Sequence, residues 1–265
     1  MRQSWAIGLA VVLGWAALGW AGSASAGPYA TQVVSYTAGS NATSGYTDPS
    51  AALGEPSRVT GTGMWQGDVT VFNPAYLTNQ IVSIGAGGSL VVAFDHAVQD
   101  DALNPYGLDL LIFGNAFFTP TTGVTGCSAE PAKVAVSQDG ITWYDIPGVF
   151  ADGLFPTQGY TDTSGAYGSD GKTPSDFTKP VDPSIAWSGK SYGDILALYG
   201  GSGGGTGVDI SVTGLSWIQY VKVYQDAGDT WSAEIDAFAV VPEPATLGLL
   251  GLALAGLCAR RQSRC

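Results

Sequence analysis

The sequence predicts an all-β fold, a jelly-roll β-sandwich with long loops between an N-terminal signal peptide and a short apolar C-terminal helix. Composition is the first observation: only 12% of the 265 residues are charged and 38 are glycine, which favours strands and turns over helices. Short apolar or alternating runs separated by Gly and Asp turns are the second, and only 191–199 hints at a helical period. Strands without intervening helices are typical of β-sandwiches.

The first 26 residues predict a secretion signal peptide. Arg2 supplies a positive start, the run from Trp5 to Ala21 carries no charge, and Ala24-Ser25-Ala26 forms a small-x-small cleavage pattern. An uncleaved anchor helix is the alternative, because the apolar run is somewhat long for a signal. We expect the mature chain to begin at Gly27.

Six segments of the middle region have the pattern of strands: 89–94, 109–113, 133–137, 141–144, 217–224 and 233–240. The run at 109–113 is the most apolar and predicts a central, buried strand. Asp139-Gly140 stands between 133–137 and 141–144 and predicts a hairpin. Residues 151–207 are rich in Gly, Ser, Thr, Asp, Pro and Tyr, and we interpret them as an elaborated loop, because one sandwich needs the strands on both sides. The predicted domain is therefore 27–241.

The tail, 242–265, predicts a sorting signal. Pro242-Glu243-Pro244 is followed by an apolar stretch without charge at 245–259 and then by Arg260, Arg261 and Arg264. The stretch is shorter than the roughly 20 residues that span a bilayer, so we expect a short helix with transient membrane association. The arginines would stay cytoplasmic and leave the body outside. A short apolar run with a basic end is typical of a processed signal.

This tail resembles the PEP-CTERM sorting domain in three features: the triplet Pro242-Glu243-Pro244, a predicted helix rich in Gly, Leu and Ala, and a basic end. The residues that carry the resemblance are Pro242, Glu243, Pro244, Arg260 and Arg261. The resemblance implies recognition by an exosortase-type membrane protease of a Gram-negative bacterium. It also implies cleavage near the triplet and delivery to the cell surface, the outer envelope or the exopolysaccharide matrix.

The body also resembles bacterial cell-surface proteins that carry such tails, in segments 84–95, 107–117, 130–143, 208–210 and 234–237. The first three are similar to the motifs G-GG-L-V-FD, G-DL-VFEN-F and E-A-V-VS-DG--W, with Gly114 in place of the acidic residue. The third is also similar to the hairpin of discoidin-like, galactose-binding jelly rolls. The resemblance implies the fold and, through it, an expectation of glycan binding.

The predicted body is strongly acidic. Residues 27–241 hold six of the ten Lys and Arg residues but 21 of the 22 Asp and Glu residues. Such a surface repels phosphate backbones, which excludes nucleic acid as a partner, and it tolerates divalent cations. With one histidine, His96, and one cysteine, Cys127, in the body, the sequence excludes a His-rich or Cys-rich metal site and a disulfide framework.

Calcium is the possible cofactor, because loop carboxylates at the edge of a sandwich can hold it. The candidate ligands are Asp48, Asp109, Glu234 and Asp236, of which the last two would share one face of a strand. The alternative is that these carboxylates cap backbone N–H groups in turns.

Two aromatic residues are candidates for glycan binding. Trp187 and Tyr192 lie in the long loop, and rings of this kind offer a large stacking surface with a polar tip. The alternative is that they pack the loop onto the domain.

The sequence favours a non-enzymatic surface protein that is structural or binds extracellular polysaccharide or other surface proteins. The alternative is a hydrolase acting on extracellular polysaccharide, which would need two carboxylates flanking the scissile bond. The only glutamates of the body are Glu55, Glu130 and Glu234, and each lies in a segment that the fold itself explains.

Overall fold

The computed structural model describes residues 27–243, so the predicted signal peptide and the apolar helix at 245–259 lie outside the described residues. Within that range the chain forms one α-helix, α1 (Tyr192–Tyr199), and thirteen strands. The strands are β1 (Gln32–Thr37), β2 (Val59–Thr60), β3 (Gly67–Asp68), β4 (Val82–Ser83), β5 (Ser89–Gln99), β6 (Leu110–Gly114), β7 (Phe117–Thr119), β8 (Gly126–Ser128), β9 (Ala132–Ser137), β10 (Tyr144–Ala151), β11 (Thr206–Val208), β12 (Trp217–Tyr224) and β13 (Glu234–Val240).

Two antiparallel sheets form the sandwich. The first has the order β1-β5-β12-β9-β10 and the second β11-β6-β13-β4. Strand β1 is an added edge strand of the first sheet. The other eight strands of the two sheets have the order of a jelly roll, with β4-β13-β6-β11 in one sheet and β5-β12-β9-β10 in the other. The predicted fold is confirmed.

The core lies between the two sheets. Its largest members are Leu90 and Phe94 of β5, Leu110 and Ile112 of β6, and Phe238 of β13. Along β12 the alternation of buried and partly exposed residues is interrupted once, because a bulge breaks the pairing with β5 between Ile218 and Tyr220. Each large apolar side chain that is fully buried contributes roughly 1.5–3 kcal/mol, so the interior holds the sheets together.

The predicted hairpin forms, but its turn is longer than a two-residue Asp-Gly turn. Strands β9 and β10 pair antiparallel, and residues 138–143 connect them. The Asp139 carboxylate closes this connection by accepting hydrogen bonds from the backbone N–H groups of Ile141 and Thr142, both at 2.8 Å. The connection is therefore closed by the Asp139 side chain and not by the two-residue Asp-Gly turn that the sequence predicts.

Asp139 is expected to titrate with a pKa of about 2, because the donated N–H groups of Thr142 and Ile141 stabilise its charged form. Its folded pKa lies below the ordinary value, so this stabilisation is present above about pH 4 and is lost as the pH falls through about 2. NMR titration of the carboxyl carbon measures the pKa directly. Asp139→Asn should be less stable than the wild type at pH 7, and the difference should shrink as the pH falls towards 2; an unchanged difference at low pH would contradict this account.

The long segment between β10 and β11 covers the outer face of the second sheet. Phe177 is buried there against Leu111 and Phe113 of β6 and Ala237 of β13. Helix α1 lies in the same segment and begins with a capping box formed by Ser191 and Asp194.

Arg58 fastens this segment to the body. Its Nη1 donates to the backbone oxygens of Gly159 at 2.6 Å and Ser175 at 3.1 Å, and its Nη2 lies 2.5 Å from an oxygen of Glu55. The guanidinium also lies 4.1 Å from the centre of the Phe177 ring. One side chain therefore joins two stretches of the loop to the sandwich.

The two ends of the described chain lie side by side. The N–H of Val240 donates to the oxygen of Pro28 at 2.7 Å, and that of Val241 donates to the oxygen of Asp109 at 2.9 Å. Val241 is buried, whereas Pro242 and Glu243 are exposed. No helix within 27–243 has the length and apolar character needed to cross a bilayer.

Candidate functional site

A cleft lined by exposed aromatic rings lies beside the short sheet formed by β2 and β3. We call it the aromatic cleft; it has a volume of about 450 Å³ and is lined by Met64, Trp65, Gln66, Gly67, Asn73, Tyr76 and Tyr167. Trp65 is 79% exposed, Tyr167 is 68% exposed and Tyr76 is 40% exposed. Large apolar side chains gathered at one exposed place mark an interaction surface.

Local backbone geometry raises Trp65 into solvent. A turn of 3-10 helix, Gly63–Trp65, connects β2 to β3. Gly61 has a φ of +76°, and a Cβ at that position would lie 2.3 Å from the oxygen of Trp65, so only glycine allows this tight path. The ring is thus presented by a short, tight connection.

Asp68 brings the other side of the cleft, which carries Tyr167, up to β3. Its N–H donates to the oxygen of Gly168 at 2.8 Å. Its Oδ2 accepts hydrogen bonds from the hydroxyl of Thr163 at 2.7 Å and from the N–H of Gly171 at 2.9 Å. This buried carboxylate is therefore committed to holding the loop. The lining residues with polar side chains include Gln66 and Asn73, and the amide nitrogen of Asn73 already donates to the oxygen of Asp68 at 2.9 Å.

An apolar groove lies at the edge of the sandwich between β10 and β11. Trp187, which the sequence offers as a candidate for glycan binding, lines this groove. The groove has a volume of about 550 Å³ and is lined mostly by aliphatic and aromatic side chains, among them Leu108, Val149, Phe150, Leu154 and Val181. Trp187 packs on Phe118 with ring centres 5.3 Å apart and turns its remaining surface to the groove. Cys127 also lines it, and burial raises the pKa of that thiol to about 12, which suppresses its reactivity.

Tyr192 is placed differently. It is the first residue of α1, its ring meets Phe72 edge-on at 6.0 Å, and its hydroxyl accepts a hydrogen bond from the side chain of Gln158 at 2.9 Å. Its ring therefore contributes to packing the long loop onto the domain.

The four candidate calcium ligands do not converge on one site. Asp48 is exposed and caps a short 3-10 helix by accepting from the N–H and hydroxyl of Ser50. Asp236 is buried and accepts from the N–H and hydroxyl of Ser57 at 2.8 and 3.1 Å. Burial raises the pKa of Asp236 to about 7. Asp48 thus caps its own short helix, whereas Asp236 ties the distant Ser57 to β13.

Asp109 lies in a cluster with Asp100 and Asp209, whose oxygens are within 4.8 Å of one another. Both oxygens of Asp109 are already engaged: Oδ1 accepts from the N–H of Asp101 and the side-chain amide of Asn104, and Oδ2 accepts from the N–H of Ile210. Burial raises the pKa of Asp109. The carboxylate ties three loop segments together.

Glu234 lies in a second cluster, with Glu130 and Asp152, whose oxygens are also within 4.8 Å of one another. We call these three residues the carboxylate cluster. The sequence reasoning missed Asp152, which follows β10 in a left-handed conformation with a φ of +52°, and it did not assign a ligand role to Glu130. A Cβ at Gly114 would lie 2.5 Å from Oδ1 of Asp152, so the Asp152 carboxylate takes the space beside the glycine that departs from the resembled motif.

Comparison with known proteins identifies the tail. Residues 240–262 match the PEP-CTERM protein-sorting motif, as the resemblance predicted; no curated protein matches the chain. Of the sorting residues, the structure describes Pro242 and Glu243, whereas Pro244, Arg260 and Arg261 lie outside the described range. The motif is that of an exported, membrane-passing protein, sorted to the cell surface and recognised by an exosortase-type membrane protease.

Proposed function

We propose that this chain is a non-enzymatic protein of the Gram-negative cell surface or exopolysaccharide matrix, and that it binds polysaccharide in the aromatic cleft. The observation that carries the proposal is the exposure of Trp65 and Tyr167 at one concave site. Aromatic rings stack on the apolar faces of sugar rings, and the amides of Gln66 and Asn73 supply hydrogen-bonding groups for hydroxyls.

Charge selects the kind of polysaccharide. The excess of acidic over basic residues in 27–241 gives the body a negative potential that repels uronic acids and sulfated sugars. The residues lining the aromatic cleft include no charged side chain. A neutral polysaccharide is therefore the ligand that this surface fits.

Binding without hydrolysis is supported by the position of the carboxylates. A glycoside hydrolase needs two carboxylates about 5–10 Å apart on either side of the bond to be cut. None lines the aromatic cleft, and in the carboxylate cluster Asp152 and Glu234 are buried. A sugar chain in the cleft would therefore meet aromatic rings and amides, not an acid and a base.

Trp65→Ala and Tyr167→Ala are each expected to weaken retention of a neutral polysaccharide at least tenfold, since loss of about 1.4 kcal/mol of stacking is sufficient. Affinity electrophoresis through gels containing a neutral glucan, galactan or mannan measures this retention, and circular dichroism checks the fold. Trp187→Ala is the matched control and should leave retention unchanged. Loss of binding in the Trp187 variant with normal binding in the Trp65 variant would move the site to the apolar groove. No retention of the wild type by any of the three polysaccharides would contradict the proposal.

A further inference from the structure

The carboxylate cluster brings together three segments that are distant in the chain. Glu130 precedes β9, Asp152 follows β10, and Glu234 begins β13, so the cluster touches both sheets of the sandwich. Asp152 is only 2% exposed and Glu234 only 7%. Two buried acidic groups therefore meet a third, Glu130, which is half-buried.

No positive side chain of the described chain compensates these charges. The ion pairs between residues 27 and 243 join Arg58 to Glu55, His96 to Asp95 and Lys133 to Asp226, and none reaches the cluster. Burying unpaired carboxylates carries a desolvation penalty of several kcal/mol each. The cluster therefore needs a cation or bound protons to exist in this packing.

Hydrogen bonds hold Asp152 and Glu234 in position but leave one buried oxygen of this pair without a donor. Asp152 accepts from the N–H of Ala116 at 2.8 Å and from that of Glu234 at 3.1 Å. Oε1 of Glu234 accepts from the hydroxyls of Thr43 at 3.2 Å and Ser83 at 3.3 Å. Oε2 of Glu234 is buried and has no donor among the described residues. The Glu234 carboxyl lies within hydrogen-bonding distance of that of Glu130, so a proton shared by the two carboxyls is the alternative to a cation.

We propose that Glu130, Asp152 and Glu234 bind a calcium ion, with Oε2 of Glu234 as one of its ligands. The donors are all hard oxygens, which favour Ca²⁺ over the metals that prefer nitrogen or sulfur. Calcium–oxygen distances of 2.3–2.6 Å allow ligand oxygens to lie up to about 5 Å apart. One carboxylate oxygen from each residue of the cluster lies within 4.8 Å of the other two, which is the spacing that a shared calcium ion requires.

Because its ligands come from both sheets, the ion joins the sandwich across its layers. One bound Ca²⁺ is expected to raise the Tm by about 3–6 °C when its concentration is ten times the Kd, relative to the same protein in EDTA. An affinity in the range of extracellular modules, with a Kd of about 0.1–1 mM, suits an exported protein.

Isothermal titration with CaCl2 tests the proposal on the mature chain. One ion per chain is expected for the wild type and none at the cluster for Glu234→Gln or Glu130→Gln. The glutamines keep the shape of the side chains and remove charge, so both variants should melt at a higher temperature than the wild type in EDTA and show no further rise with calcium. Asp48→Asn is the control and should retain the full calcium response.

Two results would overturn the proposal. One is an absence of heat and of any Tm shift for the wild type with calcium up to 10 mM, which would mean that bound protons alone neutralise the cluster. The other is a calcium response that persists in Glu234→Gln and disappears in Asp209→Asn, which would place the ion at the cluster of Asp100, Asp109 and Asp209.

Discussion

Replacing Pro242, Glu243 and Pro244 together by alanine is expected to leave the C-terminal tail attached to the exported protein. The triplet belongs to the matched sorting motif, 240–262, and the structure shows where it starts. Strand β13 ends at Val240, Val241 is buried, and Pro242 is the first exposed residue. Pro242 and Glu243 are therefore accessible directly beside the folded body. We expect the protease to need the side chains of the triplet in addition to the basic end at Arg260 and Arg261.

The intact mass of the surface fraction measures this effect. Wild-type protein should lack the tail, and the triple variant should retain it completely. Alanine at the exposed Pro183 of the long loop is the control and should leave processing unchanged. A shortened mass for the triple variant would show that cleavage depends on another part of the chain.

Arg58→Ala is expected to lower the free energy of unfolding by about 3 kcal/mol. The substitution removes two charge-assisted hydrogen bonds to the backbone oxygens of Gly159 and Ser175, and such bonds contribute about 1.5–3 kcal/mol each when their partners are left unsatisfied. It also removes the cation–π contact with Phe177. The loop that covers the second sheet should loosen first, because both acceptors belong to it.

Urea unfolding and limited proteolysis test this prediction. The Arg58 variant should be cut within 151–207 at protease concentrations that leave the wild type intact. Lys133→Ala is the matched control, since it removes a cation from an ion pair with Asp226 that is exposed on both sides, and it should change stability little. Equal stability of the Arg58 and Lys133 variants would show that the loop is held by its apolar contacts alone.

The sequence predicts several long strands well because their alternating or apolar patterns extend over enough residues. It misses β1, and the segment predicted at 141–144 overlaps β10 only at Tyr144. The segment 217–224 coincides with β12, and the hint of a helix at 191–199 corresponds to α1. The strands that the sequence did not predict include β2, β3, β7 and β8, which have two or three residues each. The alternation of apolar and polar residues that marks a strand cannot be recognised over two or three residues. The strand pairs β2-β3 and β7-β8 depend on contacts with distant segments.

The candidate sites are harder to predict because burial and proximity depend on the whole fold. Trp65 is an ordinary loop residue in the sequence, and its exposure is visible only in the folded chain. Glu234 and Asp236 were expected to share a strand face, but β13 carries an irregularity between Ile235 and Ala237, and the two carboxylates bind different partners. Asp152 belongs to no recognisable motif. It is placed beside Glu234 by the turn that follows the end of β10.

The pairing of Pro28 with Val240 has a practical consequence for tagging. A fluorescent protein or affinity tag fused to the mature N-terminus would emerge next to the triplet and would crowd the approach of a membrane protease. The turn at 226–229 precedes β13, whose seven residues span about 20 Å. A small epitope inserted in that turn would therefore report on surface display while leaving the sorting triplet accessible.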